Sequence, residues 1–179
     1  MKKFLTTLIA SLTLTVPVMA QSNHDDHFEL WTTLQKAGVI TRLNTFECFR
    51  RSGEIDGYYL SNTRTLVICQ PDANKIGQQM PWSENDYDTL RHEAMHVIQD
   101  CNKGIIGDGR LSVLFDDKEE YKKFVKSKLT DAQINNILRW YDDISEERQL
   151  LEIEAFAVAR GVDVTHITTA VNKVCGNDL

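Results

Sequence analysis

The segment His92-Glu93-Ala94-Met95-His96 constrains the fold of this chain more than any other. Two histidines four apart meet at one point when they lie on a helix, where at about 100° per residue they stand roughly 40° apart on one face. Both imidazoles then reach one metal ion from successive turns, and Glu93 stands beside that ion as a base able to take a proton from water. The bland reading is a helix whose histidines are polar boundary residues. The metal reading is preferred because the flanking sequence supplies the helix and a later segment supplies a third donor.

The helix is legible on both sides of the motif. Ser83-Glu84-Asn85-Asp86 offers a capping residue followed by acids in a first turn, after Met80-Pro81-Trp82 closes what precedes. Tyr87, Leu90, Ala94, Val97, Ile98 and Cys101 follow mostly at three- and four-residue steps, and Lys103-Gly104 reads as the stop.

With 179 residues, 42% hydrophobic and 26% charged, the chain suits one globular domain with a substantial core. Its first twenty residues read separately. Lys2 and Lys3 precede the largely apolar run 4–16, and Val18-Met19-Ala20 places small residues where a signal peptidase cuts, so residues 1–20 are expected to be a secretory signal peptide removed before Gln21. A membrane anchor is disfavoured, because Thr6, Thr7, Ser11, Thr13 and Thr15 interrupt a run already short of the roughly 20 apolar residues needed to span a bilayer. Loss of Lys2 and Lys3 takes the formal charge from −6 to −8, which argues against nucleic acid or an anionic membrane as partner.

The four cysteines, Cys48, Cys69, Cys101 and Cys175, all fall in the expected mature part, residues 21–179. They are even in number and scattered without a Cys-x-x-Cys pair, so two disulfides are expected and a zinc-thiolate cluster is not. Of three possible connectivities, the preferred one joins Cys48 to Cys69 and Cys101 to Cys175. The expected localisation is secreted or periplasmic.

Hydrophobic spacing gives an α+β, mainly helical fold. A first helix is expected over residues 27–37, with Phe28, Trp31, Leu34 and Ala37 at helical spacing and a stop at Gly38. Residues 46–50, 57–60 and 65–69 are rich in aromatic and β-branched side chains, with turns at Ser52-Gly53 and Ser61-Asn62, and read as a small antiparallel sheet closed by Pro71. The motif helix follows. Gly104, Gly107 and Gly109 then mark a mobile loop around Ile105 and Ile106, before an apolar patch at 111–115. Helices are predicted over 116–129, from the capping box Thr130-Asp131-Ala132-Gln133, and from Asp143-Ile144-Ser145-Glu146 to Gly161.

The last of these carries the candidate third donor. Glu152 and Glu154 are two apart and point to different faces. Glu154 has Leu150, Leu151, Ala157 and Val158 at three- and four-residue distances, whereas Glu152 has Arg148, Gln149, Ala155 and Phe156. A carboxylate on the more apolar face needs a partner, so Glu154 is the expected ligand with His92 and His96, and Glu152 is the alternative. Asp88 and Asp100, four residues outside the two histidines, are candidates to orient an imidazole, or in the case of Asp100 to bind metal directly. His24 and His27, in His24-Asp25-Asp26-His27, read as part of a solvated tail.

On His92, Glu93 and His96, with a glutamate on a later helix, the chain resembles the zincin metallopeptidases and, among them, the gluzincins. A metzincin would carry glycine and then histidine or aspartate where this sequence has Gln99 and Asn102. The resemblance implies one zincin-like domain over 21–179, a Zn2+ cofactor, Glu93 as general base, and an edge strand bordering the substrate cleft, for which 57–60 and 65–69 are candidates. It also implies a further donor to the oxyanion, with Tyr58, Tyr59, Tyr141 and His166 as candidates.

The expected function is therefore a zinc-dependent metallopeptidase acting on a peptide or protein substrate. Two alternatives are a noncatalytic exported binding module stabilised by its disulfides, and a zinc amidase acting on cell-wall peptides.

Overall fold

The computed structural model describes residues 19–51, 54–102 and 106–176. Residues 1–18 of the expected signal peptide, the Ser52-Gly53 turn, and the Lys103-Gly104 stop with Ile105 lie outside the described residues. The chain is α+β and mainly helical. In order it forms α1 (Met19–Lys36), β1 (Ile40–Leu43), α2 (Phe46–Arg50), β2 (Gly57–Leu60), a 3₁₀ turn (Ser61–Thr63), β3 (Thr65–Ile68), α3 (Glu84–Cys101), α4 (Lys118–Lys128), α5 (Asp131–Trp140), α6 (Glu146–Gly161) and α7 (Val164–Cys175).

The sheet differs from the expected antiparallel meander. Its order is β1-β3-β2, with β1 parallel to β3 and β2 antiparallel to it. Residues 46–50, read from their aromatic content as a strand, are the short helix α2. Phe46 is exposed, Glu47 and Arg50 pair one turn apart, and Cys48 is tied to Cys69, so a half-buried strand surface is not what these side chains serve. The strand that was not anticipated, β1, alternates exposed and half-buried residues along one sheet edge. Central β3 is buried on both faces: Leu66 and Ile68 join the main core, while Val67 packs with the Cys48–Cys69 disulfide.

Motif helix α3 runs through the middle of the molecule, packed against α6, α7, β2, β3 and α1. Ser83 and Asp86 form a reciprocal capping box at its start, which fixes the first turn. At its end Cys101 is bonded to Cys175 at the end of α7, so both disulfides have the preferred connectivity. Thr130 and Gln133 cap α5 as expected, and Ser145 caps α6. A second core, built from Tyr121, Val125, Leu129, Ile137, Ile153 and Ala157, joins α4, α5 and α6.

Helix α1 is longer than predicted and reaches back to Met19. His27, Leu30, Thr33 and Leu34 are buried along one stripe, so His27 belongs to the interior and not to a solvated tail. Its Nε2 meets the Arg91 guanidinium at 2.7 Å.

The segment expected to be a mobile glycine loop is held down over its described part. Gly107 N–H donates to Asp100 at 2.9 Å, Ser112 N–H to the Gln99 carbonyl at 3.1 Å, and Leu114 N–H to Glu154 at 3.0 Å. Gly107 and Gly109 supply the positive φ angles, 88° and 82°, that let the chain fold back onto the end of α3.

Candidate metal centre

Helix α3 places His92 and His96 on one face, where both are almost fully buried. Their Nε2 atoms lie 3.2 Å apart. Glu152, from the adjacent helix α6, closes the triangle, with Oε2 3.3 Å from His92 Nε2 and Oε1 3.6 Å from His96 Nε2. These three side chains are the one group of possible metal ligands converging in this way among the described residues.

The separations pass a simple test of fit. Zinc bonds of about 2.0–2.1 Å at tetrahedral angles put neighbouring donors about 3.3 Å apart, and the three contacts here run from 3.2 to 3.6 Å. Two imidazoles and a carboxylate suit a divalent transition metal.

Glu154, expected as the third ligand, stands elsewhere. It is fully buried, but it faces the core behind the motif, where Oε2 accepts from Gln99 Nε2 at 2.9 Å and Oε1 from Leu114 N–H at 3.0 Å. The apolar neighbours that marked Glu154 in the sequence identified the buried face of α6, whereas Glu152, the side chain that meets the two histidines, is only half-buried. Burial raises the pKa of Glu154, and the Gln99 and Leu114 bonds oppose that rise.

Electrostatics within the cluster are strongly coupled. Burial alone would lower His96, but the hydrogen bond and charge of Glu152, with help from Glu93 and Gln99, raise it to about 9. Burial would conversely raise Glu152, and the two histidines hold it well below the usual carboxylate range.

Glu93 lies one residue beyond His92, 6% exposed, and its carboxylate accepts the backbone N–H of Tyr59 on β2. Burial raises its pKa most, and the neighbouring histidines oppose that shift. Gly57 makes this approach possible: a Cβ there would lie 2.5 Å from Thr89 Cγ2, 2.7 Å from the Val67 carbonyl and 3.5 Å from Glu93 Cγ.

A cleft of about 820 Å³ opens beside His92 and Glu93. One wall is made by Arg51 and by Glu54, Ile55, Asp56 and Gly57 leading into β2, and the other by Trp140, Tyr141, Ile144, Phe156 and Arg160. Of the two candidate border strands, β2 lies at the sheet edge and β3 at its centre. Asp56 C=O accepts from Cys69 N–H while Tyr59 N–H points to Glu93, so the alternate residue Gly57 turns its main-chain groups to the outer edge.

A family model described as "Domain of unknown function (DUF8637)" matches residues 4–176. The chain belongs to that family. No curated protein and no solved structure matches it.

Other expected positions in this DUF8637 chain are arranged differently. Asp88 pairs with Arg91, and Asp100 accepts from Tyr59 Oη at 2.7 Å and from Gly107 N–H at 2.9 Å. Gln99 meets an imidazole, its Oε1 lying 2.8 Å from His96 Nδ1. Its position three residues past His96 on the buried stripe was the available signal. Among the oxyanion candidates, Tyr58 bonds Thr45, Tyr59 bonds Asp100 and His166 is exposed on α7. Tyr141 lines the cleft, and burial above all, followed by the charges of Glu152 and Glu93 and a hydrogen bond to Glu152, raises its pKa.

Proposed function

We propose that this chain is a secreted or periplasmic zinc-dependent metallopeptidase, similar in its site to the gluzincins, with His92, His96 and Glu152 as the metal ligands. The observation that carries the reading is three donors 3.2–3.6 Å apart, one of which, His92, lines an open cleft together with Glu93. An open cleft favours catalysis over a closed, structural zinc site, whose fourth position is filled by protein. Two disulfides fit an oxidising compartment, and among the described residues no helix is long and apolar enough to cross a membrane.

Bound zinc supplies a Lewis acid that acidifies water and polarises a carbonyl. The chain's own groups do the rest. Glu93 takes a proton from the attacking water and passes it to the leaving amine. Its buried setting, which raises its pKa, makes it a stronger base than a solvated glutamate and suits both transfers. Tyr141, kept protonated by burial and by Glu152, offers an O–H to developing negative charge. At the outer edge of β2, where Glu93 already takes the Tyr59 N–H, Gly57 offers main-chain groups to which an extended peptide would pair.

The test is turnover of a quenched peptide library, with cell-wall peptides included, by the zinc-loaded oxidised protein. Glu93→Gln is expected to retain zinc and lose about 10²- to 10⁴-fold in rate, the usual contribution of a positioned base. Equal activity in the variant, or none in the wild type on any amide, would reject the peptidase and favour the binding module.

A further inference from the structure

We infer that Gln99 and Glu154 are positioning residues for the metal site, forming a buried relay that aims His96 and ties it to the main chain at Leu114. This rests on the metal reading above, and adds to it which residues outside the ligand set determine its affinity.

Both side chains are fully buried. Gln99 Oε1 accepts from His96 Nδ1–H at 2.8 Å, which leaves Nε2 as the nitrogen facing His92 and Glu152. A primary amide can accept there only if its NH₂ points the opposite way, and an NH₂ in the interior needs acceptors. It has two: Glu154 Oε2 at 2.9 Å and the Leu151 carbonyl at 3.1 Å. Glu154 thereby sets the orientation of the Gln99 amide, and the amide sets which imidazole nitrogen carries the proton. Leu114 N–H, donating to Glu154 Oε1 at 3.0 Å, fixes the far end.

The chain of donors has one consistent direction, from Leu114 N–H and Gln99 NH₂ into Glu154, and from His96 Nδ1–H into Gln99. Reversing the amide would put its NH₂ against Nδ1–H and its carbonyl against a carboxylate. His92 has no such support: its Nδ1 is buried without a hydrogen-bond partner, and the ring packs on Phe156 with centroids 4.4 Å apart. Orientation of the pair therefore falls to His96.

The experiment measures zinc affinity by chelator competition and the ¹⁵N signals of the His96 ring in the full chain. Gln99→Leu is expected to weaken zinc binding about 10- to 100-fold, the range for loss of a group that orients a ligand. Gln99→Glu places two carboxylates in contact and is expected to weaken it as well. The double variant Gln99→Glu/Glu154→Gln swaps the two groups, restores an acceptor for Nδ1–H and a donor between positions 99 and 154, and is expected to recover most of the affinity. Unchanged affinity in Gln99→Leu, or no recovery in a folded double variant, would overturn the relay. In metal-free wild type the relay keeps a proton on His96 Nδ1 whether the ring is neutral or charged, so an unprotonated Nδ1 also overturns it. If the wild type binds no zinc but shows that protonated Nδ1, the metal reading fails while the relay itself stands.

Discussion

Glu152 Oε2 lies 3.3 Å from His92 Nε2, across the interface between α6 and α3. The contact gives the motif helix a partner that its own sequence could not supply, and it makes the α3–α6 packing part of the site. Substitutions that shift either helix are therefore expected to act on the site as well as on stability.

Gly57 tests the packing of β2 against α3 beside Glu93. Alanine there would set a Cβ 2.5 Å from Thr89 Cγ2 and 2.7 Å from the Val67 carbonyl, so β2 must move away from α3 and Glu93. Overpacking of this kind costs roughly 1–3 kcal/mol. Thermal and denaturant unfolding of Gly57→Ala should show that loss, and adding Thr89→Ser should restore only part of it, because the Val67 carbonyl remains. Wild-type stability in Gly57→Ala would contradict the close approach.

The two disulfides are expected to contribute unequally. Cys101–Cys175 closes 74 residues and Cys48–Cys69 closes 21; chain entropy assigns about 4 and about 3 kcal/mol respectively. Paired serine replacements compared by denaturant midpoint should follow that order. Loss of Cys101–Cys175 should also lower zinc affinity, since Cys101 ends the helix that bears both histidines.

Asp100 provides a pH test. Its carboxylate accepts from Tyr59 Oη and Gly107 N–H, yet burial raises its pKa above the ordinary value of 3.8. The folded chain therefore holds this proton more tightly than the unfolded chain. Its contribution to stability is greatest below the unfolded pKa and declines as pH rises through the folded one. Asp100→Asn removes the titration, so the stability of the variant relative to wild type should improve as pH rises from about 3 to about 7. Unfolding midpoints across that range check it; a constant difference would contradict the shift.

How much of this was legible in the sequence depended on whether a signal was local. The α3 cap, the Thr130–Gln133 capping box and strand β2 were readable because each is written in neighbouring residues. The 46–50 segment was misread because a short aromatic run does not distinguish a strand from a helical turn pinned by Cys48. The choice between Glu152 and Glu154 was a question about which neighbour each face of α6 meets. Apolar flanks correctly implied a buried, partnered Glu154, but the partner is Gln99, and only the tertiary packing shows it. In the sequence Gln99 stands out only as a departure from the metzincin pattern, although a buried amide there needs an acceptor and a donor nearby.

The central claim is a zinc site on His92, His96 and Glu152, and zinc stoichiometry tests it most directly. Mass-spectrometric metal analysis of the dialysed, oxidised protein would be run on the wild type and on Glu152→Ala, both carrying His24→Ala to remove an exposed histidine near α1's start. One zinc per chain, lost in Glu152→Ala, is the expected result. A folded protein that takes up no zinc, or a Glu152→Ala variant that binds it with wild-type affinity, would contradict the claim.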